Sequence, residues 1–303
     1  MNELFAADPA VCGRASELKL LLGAFGPYTG RYLANFPSNW AKQVERQFEG
    51  VGETEVARAK TLLRRASESG VLFNRAKLAW NTEREWMANA ERLLATTPPT
   101  FEGLIATRPK PPAIHHLDEL DLPPTADERI AGTASEYARI SKNLVLISSE
   151  IVLVDPYLNP LKRDCQAVLE ALFLIAAQGR NQKIILWTRA AEVYGPGSNE
   201  STESTESDIR DLLFRLARRT KFKPGSEIHM NFVEDEARRT KMHARYLLSI
   251  KGGIRFDQGF QQLPQGRRVD VGPIGKATHD ELFDIYFEGR HDMSVVQRIT
   301  LKI

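Results

Sequence analysis

A chain of 303 residues with a formal net charge of +2 is long enough for two domains, or for one large domain with an extension. No stretch approaches the roughly 20 consecutive apolar residues that a membrane-spanning helix needs, so we do not expect a transmembrane protein. The first twenty residues lack the features of a secretion signal, which favours a cytoplasmic location. Cys12 and Cys165 lie far apart in the sequence, so we predict no disulfide framework, no metal site and no cofactor.

The first hundred residues have the apolar spacing of helices. Apolar side chains recur three and four positions apart in SELKLLLGAF, NWAKQVERQF, ETEVARAKTLLRRASES and NTEREWMANAERLLA. Gly23, Gly26 and Gly30 interrupt the pattern, so the first helix should end near Gly23. We therefore predict an all-α N-terminal domain over residues 1–95.

A change of composition follows this helical part. Residues 96–128 are rich in proline and glycine and lose the apolar period, which predicts a linker that carries at most the short strand EGLIAT. The linker should separate the helical domain from a second domain over residues 129–303.

The second domain has the pattern of an α/β fold. A helix over ADERIAGTASEYARISKNLVLIS leads to a buried strand in EIVLVDPYLNP, then a helix and a second strand in NQKIILWTR. Strand, helix and strand within about forty residues predict a βαβ unit with parallel strands. Next come a helix opened by Ser207, a strand in SEIHMNFVED, a strand or hairpin from HARYLLSI and GGIRF, and a last helix and strand.

Positive charge is concentrated in two parts of this domain, RDLLFRLARRTKFKP at 210–224 and EDEARRTKMHAR at 234–245. Lysine and arginine neutralise phosphate charge and release counterions when they bind nucleic acid. The candidate nucleic-acid-binding residues are Arg210, Arg218, Arg219 and Lys241. A solvated helix face is the alternative explanation of the same charges.

The stretch HARYLL brings two chemically useful side chains together. Side chains alternate along a strand, so His243 and Arg245 should lie on one face of the sheet. Arginine offers a planar fork of donors to phosphate oxygens, and histidine is a nucleophile or proton donor in phosphodiester chemistry. These two residues are our candidate catalytic pair, with Asp257 as a third candidate.

A purely structural role is the alternative for this stretch. His243 would then be held by a carboxylate, for which Asp155, Asp257 and Asp270 are candidates. Gly252 and Gly253 would form a hairpin turn with positive φ, and Gly259 would be required by close packing.

The runs VLVDPYL and KIILWTR, and above all HARYLL followed by glycines, resemble the phospholipase D-like (PLD-like) superfamily over about residues 144–303. The motif of that family is His-x-Lys-x4-Asp followed by a Gly-Ser-type turn. The resemblance implies a PLD-like mixed sheet flanked by helices, in which His243 stands at the nucleophile and Arg245 at the phosphate-binding lysine. Ile250 occupies the position of the aspartate, and Asp257 that of the first turn glycine.

The motif occurs once, since no other histidine is followed two residues later by lysine or arginine. In the family a second histidine protonates the leaving group, so the resemblance implies a homodimer that pairs two copies of His243. A single degenerate motif is similar to the PLD-like C-terminal domain of MIT-domain proteins, which implies binding in place of hydrolysis.

Three functional hypotheses follow. The first is a non-catalytic binding module for nucleic acid or a protein partner, in a bacterial multi-component system for which defence is an analogy. The second is a dimeric, metal-independent phosphodiesterase or nuclease that uses His243. In the third, the N-terminal half docks a protein partner and the α/β half is a scaffold.

Overall fold

The computed structural model describes residues 3–74, 78–110, 112–120, 122, 127–195, 203–234, 242 and 244–303. The chain divides into two compact units, Met1–Thr125 and Ala126–Ile303, and each has its own β-sheet. Within the described ranges, no helix combines the length and the apolar character that crossing a membrane requires.

The first unit alternates strands and helices. In chain order its elements are β1 (Glu3–Ala7), α1 (Ala15–Gly23), β2 (Arg31–Ala34), α2 (Trp40–Gln47), α3 (Glu53–Ser69), β3 (Leu72–Phe73), α4 (Trp86–Leu94), β4 (Gly103–Ile105) and β5 (Ile114–His115). The strands pair in parallel in the order β3-β2-β1-β4-β5. Parallel strands joined by helices give an α/β architecture.

Helices cover both faces of this sheet. One core joins sheet residues to α1, α2 and α3, and it includes Phe5, Leu18, Leu33, Trp40 and Leu63. The opposite core joins the sheet to α4, and it includes Ala6, Phe36, Ala90, Leu93 and Leu104. The sheet is therefore the middle of three layers, and this explains why its strands are almost entirely apolar.

The prediction of an all-α domain over residues 1–95 is wrong, because β1, β2 and β3 lie within it. The four helices are present, and α1 ends at Gly23 as predicted. The missed strands are only two to five residues long. β2, with the sequence RYLA, is buried at every position, so it lacks the alternation that identifies a half-buried strand.

The segment 96–128 supplies parts of both sheets and is not a linker. β4 and β5 extend the first sheet, and the first strand of the second sheet begins at Glu128. Phe101, Leu104 and Ala106 are fully buried. The strand expected in EGLIAT is confirmed as β4. The described prolines, Pro98, Pro99, Pro109 and Pro112, lie in bends, turns and irregular segments near very short strands, which is why the composition resembled that of a linker.

The second unit contains eight strands and five α-helices among its described residues. In chain order these are β6 (Glu128–Ala131), α5 (Ala134–Ile147), β7 (Glu150–Val154), α6 (Arg163–Gln178), β8 (Lys183–Arg189), α7 (Ala190–Tyr194), α8 (Glu203–Arg219), β9 (Glu227–Glu234), β10 (Arg245–Ser249), β11 (Gly252–Phe256), β12 (Arg268–Pro273), α9 (Lys276–Tyr286) and β13 (Ser294–Lys302). The sheet order is β13-β9-β8-β7-β10-β11-β12-β6.

This sheet is mixed. β7, β8 and β9 are parallel neighbours, and all its other neighbouring pairs are antiparallel. The predicted βαβ unit is confirmed as β7-α6-β8, and the predicted hairpin is confirmed as β10-β11.

β6 and β12 were not predicted. β6 was assigned to the following helix because only two residues separate the strand from α5, whose N-cap is Thr133.

Gly252 and Gly253 belong to β11 and not to the hairpin turn, which is formed by Ile250 and Lys251. Neither glycine has the positive φ that we expected. A Cβ at Gly253 would lie 2.8 Å from both the Ile274 and the Leu248 side chains. Glycine is needed there because apolar side chains pack directly against the strand.

Candidate functional site

Three adjacent strands, β8, β7 and β10, bring polar side chains to one edge of the second sheet. Asp155 directly follows β7, Arg189 is the last residue of β8, and Arg245 is the first residue of the antiparallel strand β10. We call this region the carboxyl edge, since β7 and β8 end there. Open α/β sheets bind their ligands outside the carboxyl ends of parallel strands.

Asp155 links two loops at this edge. It is 1% exposed, and its two carboxylate oxygens accept from different backbone amides. Oδ1 accepts from the Tyr157 N–H at 2.9 Å, and Oδ2 accepts from the Phe260 N–H at 2.7 Å. Burial raises the pKa of Asp155, while these two hydrogen bonds and the nearby Arg245 oppose the rise. The carboxylate therefore fixes the loop after β7 to the loop after β11.

An aromatic cluster supports the Phe260 side of this link. The Tyr137 hydroxyl donates to the Gly259 carbonyl at 2.6 Å, and its ring stacks on Phe256 with centroids 5.4 Å apart. A Cβ at Gly259 would lie 2.8 Å from Asp155 Oδ2. The close packing expected at Gly259 is therefore confirmed, and its cause is the buried carboxylate.

Arg245 lies beside this carboxylate without a direct hydrogen bond to it. Its Nε is 3.9 Å from Asp155 Oδ1, and its Nη1 donates to the Asp257 carbonyl at 3.1 Å. The Nε is buried and finds no hydrogen-bond partner within the described ranges. The side chain is 24% exposed. Arg245 thus pairs its charge with Asp155 and keeps donors that Asp155 does not use.

Arg189 approaches from the other side of β7, and both arginines contact Tyr157. Arg189 Nη2 donates to the Met242 carbonyl at 2.9 Å. The guanidinium carbons of Arg189 and Arg245 lie 5.2 Å and 5.0 Å from the centroid of the Tyr157 ring. Both distances are within the range of cation–π attraction. Tyr157 as a residue is nevertheless 45% exposed.

The loop that carries Tyr157 is held against α7. Asn159 Nδ2 donates to the Glu192 carbonyl at 3.0 Å, and Lys162 forms an ion pair with the Glu192 carboxylate. The Arg189 N–H donates to the Pro156 carbonyl at 3.4 Å. These contacts position the loop after β7 beside the end of β8.

Two of the predicted site residues, His243 and Lys241, lie outside the described residues. The pairing of His243 with Arg245 on one face therefore stays a prediction. Asp257 is close to Arg245 through its main chain, whereas its side-chain Oδ1 accepts from the Asp270 N–H at 2.8 Å. Asp270 is engaged in turn by a two-fold hydrogen bond from Arg129, at 2.6 Å and 2.9 Å.

The three predicted arginines of α8 have partners within the second unit. Arg210 donates to the Thr300 carbonyl at 3.3 Å, and Arg219 Nη1 lies 3.1 Å and 2.9 Å from the two Glu170 oxygens. The guanidinium carbon of Arg218 lies 5.8 Å from the Phe214 ring centroid. Because β8 and β9 are parallel, α8 must return from the carboxyl edge to the opposite edge, so its last turn is remote from the carboxyl edge. Their role in nucleic-acid binding stays a prediction.

Arg189 and Tyr157 are the site residues that the sequence did not identify. Both occur at the ends of apolar runs, in KIILWTR and VLVDPYL. A charged or aromatic residue at the end of a parallel strand is a signal for the carboxyl edge. That signal becomes specific only when the order of β8, β7 and β10 is known.

The first unit has a basic groove of about 830 Å³ between α1 and α3. Lys19, Arg58 and Arg65 line it, together with Glu55. Glu55 accepts from the Ala15 N–H at 3.1 Å and from Arg58 at 3.1 Å, so its carboxylate offsets part of the positive charge. The three cations outnumber the carboxylate, so the groove carries a net positive charge.

Two observations concern metal-binding and thiol groups in the part of the chain that the structure describes. There, no group of three or more His, Cys, Asp or Glu residues is arranged to hold a metal ion. Burial raises the pKa of Cys165 to about 11, which keeps its thiol protonated near neutral pH.

No protein-family model matches the chain, and no curated protein shows significant similarity to it.

Proposed function

We propose that the second unit binds phosphate groups of nucleic acid at the carboxyl edge, without hydrolysing them. The observation that carries the proposal is the convergence of Arg189 and Arg245, from strands on either side of β7, on the ring of Tyr157. Two planar guanidinium groups at one edge suit phosphate oxygens, which accept paired N–H donors.

The charge balance at this edge is consistent with anion binding. Asp155 offsets part of the charge of Arg245, and its carboxylate is already occupied by two backbone amides. Arg245 Nε is 3.9 Å from Asp155 Oδ1, which is close enough for electrostatic attraction but too far for a hydrogen bond. The N–H groups of Arg245 are therefore not all engaged by this carboxylate. In the sequence, the segment between β9 and β10 contains Arg238, Arg239 and Lys241 together with Asp235 and Glu236, so its cations outnumber its carboxylates by one. A polyanion is therefore favoured over a neutral ligand.

The test is binding of a labelled oligonucleotide, measured by fluorescence anisotropy over a series of salt concentrations. We expect Arg189→Ala and Arg245→Ala each to weaken binding and to reduce the salt slope by about one per lost phosphate contact. The matched control is the α8 variant in which Arg210, Arg218 and Arg219 are all alanine. If only the α8 variant binds the oligonucleotide more weakly, the nucleic-acid interface lies on α8. Unchanged binding in the Arg189 and Arg245 variants would contradict the proposal.

A phosphodiesterase or nuclease is the second candidate, and one observation favours it. The motif of the PLD-like family has an aspartate at the position of Ile250. In this chain Ile250 is 61% exposed in the turn after β10, whereas Arg245 lies at the other end of that strand. Asp155 supplies a buried carboxylate beside Arg245 from a different strand. Cleavage of a phosphodiester in EDTA by the purified protein, lost in His243→Ala with the fold intact, would establish hydrolysis. A dimer in solution would support the pairing of two copies of His243.

A further inference from the structure

Tyr157 is the exposed aromatic residue of the carboxyl edge. The residue is 45% exposed although two guanidinium groups lie near the ring. Leu161, four residues later in the same loop, is 37% exposed. Single exposed apolar residues are common on protein surfaces, and what distinguishes Tyr157 is that its ring lies beside two guanidinium groups.

The backbone that carries the ring is fixed. The Tyr157 N–H donates to Asp155 Oδ1 at 2.9 Å, and the Leu158 N–H donates to the Asp155 carbonyl at 3.2 Å. These bonds come from the main chain, so a change of the Tyr157 side chain leaves them in place. The ring is a preorganised surface, and little conformational freedom is lost when a flat ligand stacks on it.

We propose that the carboxyl edge is specific for single-stranded nucleic acid, with one unpaired base stacked against Tyr157 while Arg189 and Arg245 contact the adjoining phosphates. This inference rests on the proposed function and names its substrate class. The guanidinium carbons of Arg189 and Arg245 lie 5.2 Å and 5.0 Å from the centroid of the Tyr157 ring, so a base that stacks on the ring brings its own phosphate close to these donors.

A duplex does not fit this arrangement equally well. Its bases are paired and stacked inside the helix, so Tyr157 reaches no base face and only the phosphate contacts remain. In a single strand each base has a free π-face, and stacking on an aromatic or guanidinium surface is tolerant of sequence. The exposed ring therefore adds affinity for the single strand alone.

The test compares three fluorescein-labelled probes of about 15 nucleotides, a length within the site sizes of single-strand binders. They are a single DNA strand of mixed sequence, the same strand in a duplex, and a strand of abasic residues that keeps the phosphates and lacks the bases. Tyr157→Leu removes the ring, and Tyr157→Phe keeps it. Phe214→Leu is the matched control, because Phe214 is 41% exposed and lies 5.8 Å from Arg218 on α8.

We expect Tyr157→Leu to weaken binding of the single strand about 5-fold or more, the effect that loss of one base–aromatic stack produces. Its binding to the duplex and to the abasic strand should stay within about twofold of wild type, with an unchanged salt slope. Tyr157→Phe and Phe214→Leu should bind all three probes as wild type does.

Equal losses on all three probes, or no loss on the single strand, would overturn the inference. If Arg189→Ala and Arg245→Ala weaken binding while Tyr157→Leu does not, the phosphate site stands and only the single-strand specificity fails. If the arginine variants bind every probe as wild type does, the proposed function itself fails. Urea unfolding of each variant checks that the fold is retained.

Discussion

Replacement of Gly259 by alanine tests the packing that holds the carboxyl edge together. The added Cβ would lie 2.8 Å from Asp155 Oδ2, about 0.6 Å inside the 3.4 Å at which ordinary contacts begin. Neither neighbour is free to yield. Oδ2 accepts the Phe260 N–H at 2.7 Å, and the Gly259 carbonyl accepts the Tyr137 hydroxyl at 2.6 Å.

Relief of this overlap must therefore strain the loop or break a hydrogen bond to a charged group. Overpacking costs about 1–3 kcal/mol, and loss of a charged hydrogen bond about 1.5–3 kcal/mol, so we expect Gly259→Ala to lower the free energy of unfolding by about 2–4 kcal/mol. Urea unfolding followed by circular dichroism should show a lower midpoint with an unchanged m-value.

Gly275→Ala is the matched control in the same unit. Its φ is −62° and nothing lies within 4 Å of its added Cβ, so the change should stay within about 1 kcal/mol. The reasoning also predicts non-additivity: in a background of Asp155→Ala, the Cβ at Gly259 has no carboxylate to meet and should cost less. A loss below about 0.5 kcal/mol in Gly259→Ala, or strictly additive losses in the double variant, would refute the explanation.

Three further outcomes are expected. Tyr137→Phe leaves the Gly259 carbonyl without its donor and should lower the free energy of unfolding by about 1–2 kcal/mol in the same urea assay, and a neutral result would mean that another donor replaces the hydroxyl. Burial lowers the pKa of His291, so this residue contributes stability above pH 6.5 that is lost as the pH falls through its folded-state pKa. The melting temperature of wild type should thus fall more between pH 7.5 and pH 5 than that of His291→Gln, and parallel pH profiles would contradict this. Burial raises the pKa of Cys165 to about 11 and that of Cys12 to about 12, so Ellman's reagent should label neither thiol in the native protein and both in urea, and rapid native labelling would show that a buried site opens.

Much of the second unit could be predicted from the sequence, because its strands are long enough to show a pattern. β7, β8 and β9 have five to eight residues; a nearly continuous apolar run marks β7 and β8, and alternation of apolar and polar residues marks β9. In the first unit the strands have two to five residues, which is shorter than a periodicity window. The longer helices around them dominated the pattern, so a parallel sheet was mistaken for an all-α domain.

The site was predicted only in part for a different reason. Arg245 could be found because it lies in a recognisable local motif, whereas Arg189 and Tyr157 join it only through the sheet order. β10 pairs with β7 roughly ninety residues after it in the chain, and no local pattern encodes such a pairing. The steric need for glycine at Gly259 was predicted, but its cause, the buried carboxylate of Asp155, appears only in three dimensions.

The pairing of β6 with β12 has a consequence for how the second unit forms. The two strands are joined by hydrogen bonds between Arg129 and Asp270, which are 141 residues apart. Closing so long a loop costs chain entropy that the neighbouring hairpin β10-β11 does not incur. We expect the hairpin to assemble early and β6 to dock late. Until it docks, the outer amides and carbonyls of β12 have no strand partner, so a folding intermediate would be most prone to associate with other chains along that strand.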